Sequence, residues 1–461
     1  MNISLGEVSS WCGGKTVGGE TARLIGVSTD TRTLCAGELF VAIRGPQHDG
    51  HSFLEQAASR GAAALLVERG TDAPGSVARI EVDDPVAALG EIAHGYRKRF
   101  TGPVVAITGS NGKTTTKEMC AEILEAAGHR VRRSPGNLNN AIGLPLSILQ
   151  LDEGDEALVV ELGMNHPGEI DHLARIAAPT VGSITQVARA HLEGLGSIEA
   201  IARAKGELLD HLADQGTAVL NSDDPNVVAQ ERRFRGRKLW FGVGTRADFR
   251  GRNLRTEGTG TAFRLTSPIG TTEIRIPLPG MHLVGLALCA IASAYATGEL
   301  EENGLEAATV GLAAFSGVPG RLRLVRGEPG IMILDDTYNS NPASAAAALR
   351  ALRTLAGDRR AIAVLGDMLE LGEEEQNLHR EIGKELARLG IEVLIAVGSR
   401  SRETAVAARA GGVGRVETVT NSDEAATLIG SIAERGDSVL LKGSRGMRME
   451  RALSVLQKKD G

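Results

Sequence analysis

The sequence predicts an α/β fold in three units, with parallel strands covered by helices. Three observations predict it. Short runs of Val, Ile, Leu and Ala alternate with amphipathic segments through most of the chain. Those runs are repeatedly followed by Gly, Asp, Asn or Ser, residues that turn a chain out of a strand. At about 150 residues per domain, 461 residues allow roughly three cores.

Composition narrows the function before any motif is read. Apolar residues are 42% and charged residues 23%, a globular balance that excludes a disordered chain. Aromatics are only 3%, too few for base-stacking platforms, and the net charge of −6 has the wrong sign for coating a polyanion. No nucleic-acid partner is expected. Cys12, Cys35, Cys120 and Cys289 lie far apart and form no CxxC pair, which argues against a zinc ribbon or disulfide framework and fits a reducing cytosol. The start, MNISLGEVSSW, lacks a basic region followed by a long apolar core. The most apolar stretch, 283–296, has 14 residues, too short for a membrane span, and predicts a buried helix. A cytoplasmic protein without stable membrane insertion is expected.

Strands are predicted over 104–108, 157–161, 181–186 and 218–221, and again over 331–334, 361–365, 393–397 and 438–442. Helices are predicted over 117–127, closed by Gly128, and 343–356, closed by Gly357. Domain 1–100 ends in the basic GYRKRF stretch before Thr101-Gly102-Pro103. Domain 101–317 holds the first strand–helix set. The Gly317-Val318-Pro319-Gly320 punctuation then opens domain 318–461, which holds the second.

The 104–108 strand feeds into Gly109-Ser110-Asn111-Gly112-Lys113-Thr114-Thr115-Thr116. A glycine turn between a strand and a helix N-terminus makes an anion cradle. Its backbone N–H groups hold phosphate oxygens, Lys113 bridges terminal phosphates and the Thr114 hydroxyl is placed to ligate Mg²⁺. The usual spacing would put the first glycine at 107, where this chain has Ile107, so the loop is a variant.

Further along, Glu161 closes an apolar run, where a carboxylate can reach a metal beside bound phosphate. A solvated strand-end glutamate is the alternative. His191 follows the next strand, and a lone histidine there is more often structural. Lys205 is the anomaly. In a helix over 198–212 the apolar positions Ile198, Ile201, Leu208, Leu209 and Leu212 place it in the middle of the apolar face. Either the ammonium snorkels out, or burial leaves a neutral amine. In the last third, three strands run into DDTYNSNP, GDMLELG and KGSR, a polar rim suited to a ligand.

Together TGSNGKTTTK, GNLNNAIGLPLSIL, VVELGMNHPGEI, AHLEGLGSIEAIARAKGE, PGRLRLV, LDDTYNSNP, LGDMLELG and LLKGSRGMRME resemble the ATP-dependent Mur ligases, and STDTRTLCAGELFVAIRGPQHDGHSF resembles their uridine-nucleotide-binding domain. The matching motifs run in order from about residue 27 to 450. The resemblance implies a central P-loop-type parallel-sheet domain, a C-terminal Rossmann-like α/β domain and a smaller N-terminal α/β domain. It implies that Gly109 to Thr115 cradle ATP, with Lys113 on the phosphates and Thr114 on Mg²⁺. Glu161 and His191 match metal-binding residues, and Lys205 matches a lysine that the family carbamylates. Asn140, or Asn139 if the local gap shifts, matches an asparagine near the phosphates. Arg321 and Asp336 match nucleotide contacts, and Ser28, Asp30 and Arg32 belong to the uridine-nucleotide stretch.

The implied reaction is amide formation. The terminal carboxylate of a UDP-N-acetylmuramoyl-tripeptide attacks the γ-phosphate of ATP, and the amine of D-alanyl-D-alanine then displaces phosphate from the acyl phosphate. A three-domain monomer is the expected state. One departure stands out: Leu283 and Leu286 occupy the places of two asparagines that resemble adenine-side contacts in the family, while His282 is retained. Two rivals remain at this stage. One is a related ligase that adds a single amino acid or glutamate. The other is a P-loop switch that hydrolyses nucleotide only to change shape.

Overall fold

The computed structural model describes residues 2–19, 21–189, 192–300, 303–328 and 330–457. Three larger sheets follow one another along the chain, and all three are dominated by parallel pairing.

The first sheet has five strands in the order Lys15–Val17, Ala78–Val82, Ala64–Glu68, Glu38–Val41 and Gly26–Ser28, antiparallel only at Lys15–Val17. The helix Pro85–Arg97 then leads toward the second sheet. Asp84 caps it and Pro85 opens it, the usual chemistry of a helix start. At its other end Arg97, 7% exposed, donates to the carbonyls of Ala177 and Ala178 and of Phe100. The guanidinium thus satisfies orphan carbonyls at the end of the helix Glu169–Ala177, where a positive charge is favoured. A single apolar core runs from Ile3 and Leu89 through Ile176 to Val104 and Leu158, so no break in packing separates the first two sheets.

The second sheet has nine strands. From one edge its strands run Val131–Arg133, Ala157–Glu161, Val104–Thr108, Val181–Ile184, Thr217–Asn221 and Arg237–Gly242, all parallel. Phe249–Glu257 continues in parallel, and Gly260–Ser267 and Gly270–Ile276 complete an antiparallel meander. Helices Lys113–Ala126, His282–Ala296 and Gly304–Ala314 cover one face, and Gly143–Ile148, Glu169–Ala177 and Ile198–Asp210 the other. Residues 283–296 form the expected buried helix. Val104–Thr108 lies between Ala157–Glu161 and Val181–Ile184, where the strand order reverses, and a crevice opens at such a point beyond the strand ends.

Several expected boundaries move by a few residues, and two of the shifts have a plain local reason. The strand predicted over 181–186 stops at Ile184, because Thr185 and Gln186 turn to bond the glycine loop. The helix predicted from 117 begins at Lys113, with Gly112 at its N-cap.

The third sheet has six strands in the order Arg323–Gly327, Ile331–Asp336, Ser438–Lys442, Ala361–Gly366, Val393–Val397 and Arg415–Val419, antiparallel only at the first pair. Asp336 pairs in register with Lys442, and Lys442 with Leu365, so the three polar turns read from the sequence share one edge. Among the described residues no helix is long and apolar enough to cross a membrane.

Candidate active site

The carboxyl ends of the second sheet and those of the third enclose a cavity of about 890 Å³, lined from one side by Ser110 to Lys113 and from the other by Arg321, Asp336 and Tyr338. The loop's shape depends on its glycines. Gly109 has φ +149°, and a Cβ there would stand 1.9 Å from Thr185 Oγ1. Gly112 has φ +83°, and a Cβ there would stand 2.3 Å from Leu286. Gly109→Ala should therefore weaken nucleotide binding at least about fivefold, since backbone strain of ~1–3 kcal/mol falls on the loop itself. Titration of the variant with ADP checks this, and wild-type affinity would refute it.

Lys113 opens the helix and donates to the carbonyl of Gly109 at 2.9 Å. It is half-buried rather than an exposed loop residue. Burial lowers its pKa and Arg321 lowers it further, while Glu161 opposes both. Thr114 Oγ1 donates to Glu161 Oε2 at 2.5 Å, and Asn139 Nδ2 donates to Glu161 Oε1 at 2.6 Å. Glu161 is fully buried, with Thr114 and Asn139 meeting its two oxygens. The solvated strand-end alternative is thereby removed. Asn140, by contrast, spends its side-chain oxygen on the backbone N–H groups of Ile142 and Gly143 where the next helix starts, although it too lines the cavity.

Lys205 lies on the buried face of Ile198–Asp210, 2% exposed. Among the described residues its ammonium has neither a hydrogen-bond partner nor a salt-bridge partner. Burial pushes its pKa well below the ordinary 10.5, and the nearby Lys113 pushes the same way. A neutral amine is what such a place favours. The snorkelling alternative does not hold. His191 lies outside the described residues.

Hard oxygen donors from one carboxylate, one hydroxyl and a triphosphate suit Mg²⁺, which is usually held by one or two carboxylates plus substrate phosphates. Glu161 and Thr114 provide the protein's share of that set. Among the described residues no group of three or more His, Cys, Asp or Glu is placed to hold a metal ion, so a metal here would depend on the phosphates and on other donors.

From the third unit, the Arg321 guanidinium stacks on the Tyr338 ring at 4.1 Å. Asp336 accepts from Leu322 N at 3.1 Å and from Lys442 Nζ at 2.6 Å, and Lys442 also donates to the carbonyl of Asn339 at 2.8 Å. Asp336 thus holds the backbone just after Arg321, and Lys442 ties Asp336 to the Asn339 loop. Half-buried His282 faces this pair, and burial lowers its pKa to about 4. Leu283 and Leu286 line the neighbouring wall and offer no hydrogen bond.

Sequence reasoning misses Lys117. It sits one turn after Lys113, fully buried, donating to the carbonyls of Ser134 and Gly136 and pairing with Glu118 at 2.8 Å. That anchors the loop carrying Asn137 and Asn139. Only its i+4 spacing from Lys113 hints at the role. In the polar rim, Asp367 accepts from the N–H and hydroxyl of Ser401 at 2.7 Å each, and His379 accepts from Met368 N at 3.1 Å, so both fix the GDMLELG turn.

Ser28, Asp30 and Arg32 do not line this cavity. They form a turn at the edge of the first sheet, where Ser28 Oγ accepts from Asp30 N and Asp30 pairs with Arg32 at 2.6 Å. The Arg32 hydrogen bonds hold the Asp30 pKa down at about 2.

Known proteins match this chain in three consecutive blocks. Residues 23–97 match the family described as Mur ligase family, catalytic domain; 107–294 match Mur ligase middle domain; 320–445 match Mur ligase, glutamate ligase domain. The UDP-N-acetylmuramoyl-tripeptide–D-alanyl-D-alanine ligase of Escherichia coli (strain K12) is 36% identical over 99% of this chain and 99% of its own. The ligase of the same name from Bacillus subtilis (strain 168) is 36% identical over 94% and 93%. A crystal structure of MurF from Acinetobacter baumannii superposes with a TM-score of 0.89 at 32% identity, covering 100% of this chain and 99% of its own. The MurF ligase of Thermotoga maritima in complex with ADP reaches 0.79 at 28% identity, covering 94% and 97%.

Proposed function

The chain belongs to the Mur ligase family, and we propose that it joins D-alanyl-D-alanine to UDP-N-acetylmuramoyl-tripeptide, driven by ATP, through an acyl phosphate. The reaction serves peptidoglycan precursor synthesis and proceeds in the cytoplasm. The observation that carries this reading is the meeting of Lys113, Thr114 and Glu161 from one sheet with Arg321 from another around a single cavity. The choice of substrates follows the full-length likeness to the tripeptide–dipeptide ligases.

On this reading residues 1–100 hold the UDP handle, 101–317 bind ATP and 318–461 close over the reacting groups, all in one monomer. The tripeptide carboxylate and the γ-phosphate are both anionic, so the first barrier is electrostatic. Lys113 and Arg321 supply fixed positive charge where charge develops. Glu161 and Thr114 would hold Mg²⁺, which neutralises phosphate charge when bound. Lys205, held neutral by burial, reacts as an amine with CO₂ to give a carbamate and a proton. It thereby gains a negative charge and would become an oxygen donor beside the phosphates. Ser28, Asp30 and Arg32 sit on the uridine-nucleotide side, and Asn139 orients Glu161 for its task.

Purine recognition should be looser here than in a relative carrying two asparagines, because Leu283 and Leu286 cannot hydrogen-bond a base. Each lost net hydrogen bond is worth about 0.5–1.5 kcal/mol. The ratio of kcat/KM for ATP over GTP reads this. A preference above about a thousandfold, roughly 4 kcal/mol, would show that other groups read the adenine.

The function itself is tested by product analysis with ATP, the tripeptide substrate and a panel of amines. Amide formation with D-alanyl-D-alanine, and not with single amino acids or glutamate, is the expected result. Phosphate release independent of both substrates would favour a nucleotide-hydrolysing switch and defeat the reading.

A further inference from the structure

Two side-chain amides from different sheets meet beside the glycine loop. Asn111 lies within the loop, between Gly109 and Gly112, and its carbonyl accepts from Thr185 Oγ1 at 2.7 Å. Asn341 caps the helix Pro342–Ala356 of the third unit, its Oδ1 accepting from Ser344 N at 2.9 Å. Across the gap Asn341 Nδ2 donates to Asn111 Oδ1 at 2.7 Å, and Asn111 Nδ2 stands 3.4 Å from Asn341 Oδ1. Asn341 is 7% exposed and Asn111 half-buried, so the Asn341 amide has little water to turn to. A second contact joins Asn137 to the Tyr338 hydroxyl close by. A buried amide is satisfied only while its partner is in place. The pair therefore registers whether the third unit is docked, at the very residue that shapes the phosphate cradle.

We propose that Asn111 and Asn341 form a closure latch, a pair of positioning residues that sets the phosphate loop when the third unit docks and keeps water from the acyl phosphate. This rests on the ligase reading above. In productive turnover the dipeptide amine attacks the acyl carbon, the carbon–oxygen bond to phosphate breaks, phosphate leaves with the electron pair and the amine gives up a proton. If water takes the place of the amine, the same bond breaks and the products are the original carboxylate and phosphate. ATP is then consumed without an amide. Closure that excludes water is what prevents this.

The test is the number of ADP molecules formed per amide, with all three substrates present, in wild type, Asn341→Ser and Asn111→Ser. Serine at 341 keeps an oxygen to cap the helix but is too short to reach Asn111. The ratio should be near one in wild type and rise to at least about three in each variant, with the double variant no worse than the poorer single. Loss of fold lowers both products alike and leaves the ratio unmoved, so either soluble variant decides by itself. A ratio that stays near one in a folded variant, whatever its rate, overturns the latch. No amide from the wild-type enzyme would overturn the ligase reading, and the latch with it.

Discussion

Lys205→Ala is expected to bind ATP through the intact phosphate loop and yet to lose ligation by at least about a thousandfold, the scale on which a metal-supporting ligand matters. The reason lies in where the lysine sits. As an ammonium, buried with Lys113 as its charged neighbour, it would repel a divalent cation. On the proposed reading, the neutral amine would take up CO₂, and the carbamate would bring the hard oxygens that Mg²⁺ prefers. Formate or acetate should partly restore activity by occupying the vacated place, and removal of CO₂ should silence the wild-type enzyme until bicarbonate is added. Carbon NMR of the active enzyme with labelled CO₂ reads the adduct directly. An unmodified Lys205 in fully active enzyme would reduce the residue to a structural or electrostatic part. Stability carries a second signature in protein kept free of CO₂. The unfolded chain keeps the lysine proton up to about pH 10.5, whereas the folded chain releases it at lower pH. Between that lower pH and about 10.5 the unfolded state binds more protons, so stability rises with pH across that window, and Lys205→Met should flatten the slope.

Lys113→Ala should lower turnover by about 10²–10³ or more, the effect of removing one preorganised charge donor from a developing transition state. Its fold should survive, because the ammonium contacts one loop carbonyl and is only half-buried. Steady-state phosphate release, together with a thermal melt, separates the two effects. Near-normal turnover by folded Lys113→Ala would remove the phosphate-loop assignment, and a collapsed melt would make Lys113 a structural residue.

Much of the site was legible because its chemistry sits where strands end. Glu161, Asp336 and Lys442 each close an apolar run, and parallel sheets bring such ends to one edge. Lys205 was legible as a charge in the wrong periodicity. Other features were hidden for physical reasons. The meander over 249–276 exposes much of one face, and a bulge between Arg252 and Arg255 breaks the alternation that would reveal a strand. Asn139 and Asn140 are adjacent and chemically identical, and only their partners in the fold, Glu161 for Asn139 and the Ile142 backbone for Asn140, separate their roles. Asn111 and Asn341 meet across 230 residues of chain, a contact that no local pattern encodes.

The central claim, that ATP activates a carboxylate as an acyl phosphate at the 109–114 loop, is tested most directly by isotope transfer. UDP-N-acetylmuramoyl-tripeptide carrying ¹⁸O in both oxygens of its terminal carboxylate is turned over with ATP and D-alanyl-D-alanine, and the released phosphate is weighed by mass spectrometry. The carboxylate oxygen that attacks the γ-phosphate leaves with it when the amine arrives. The account predicts one ¹⁸O in each phosphate released with an amide, and phosphate free of ¹⁸O would contradict it.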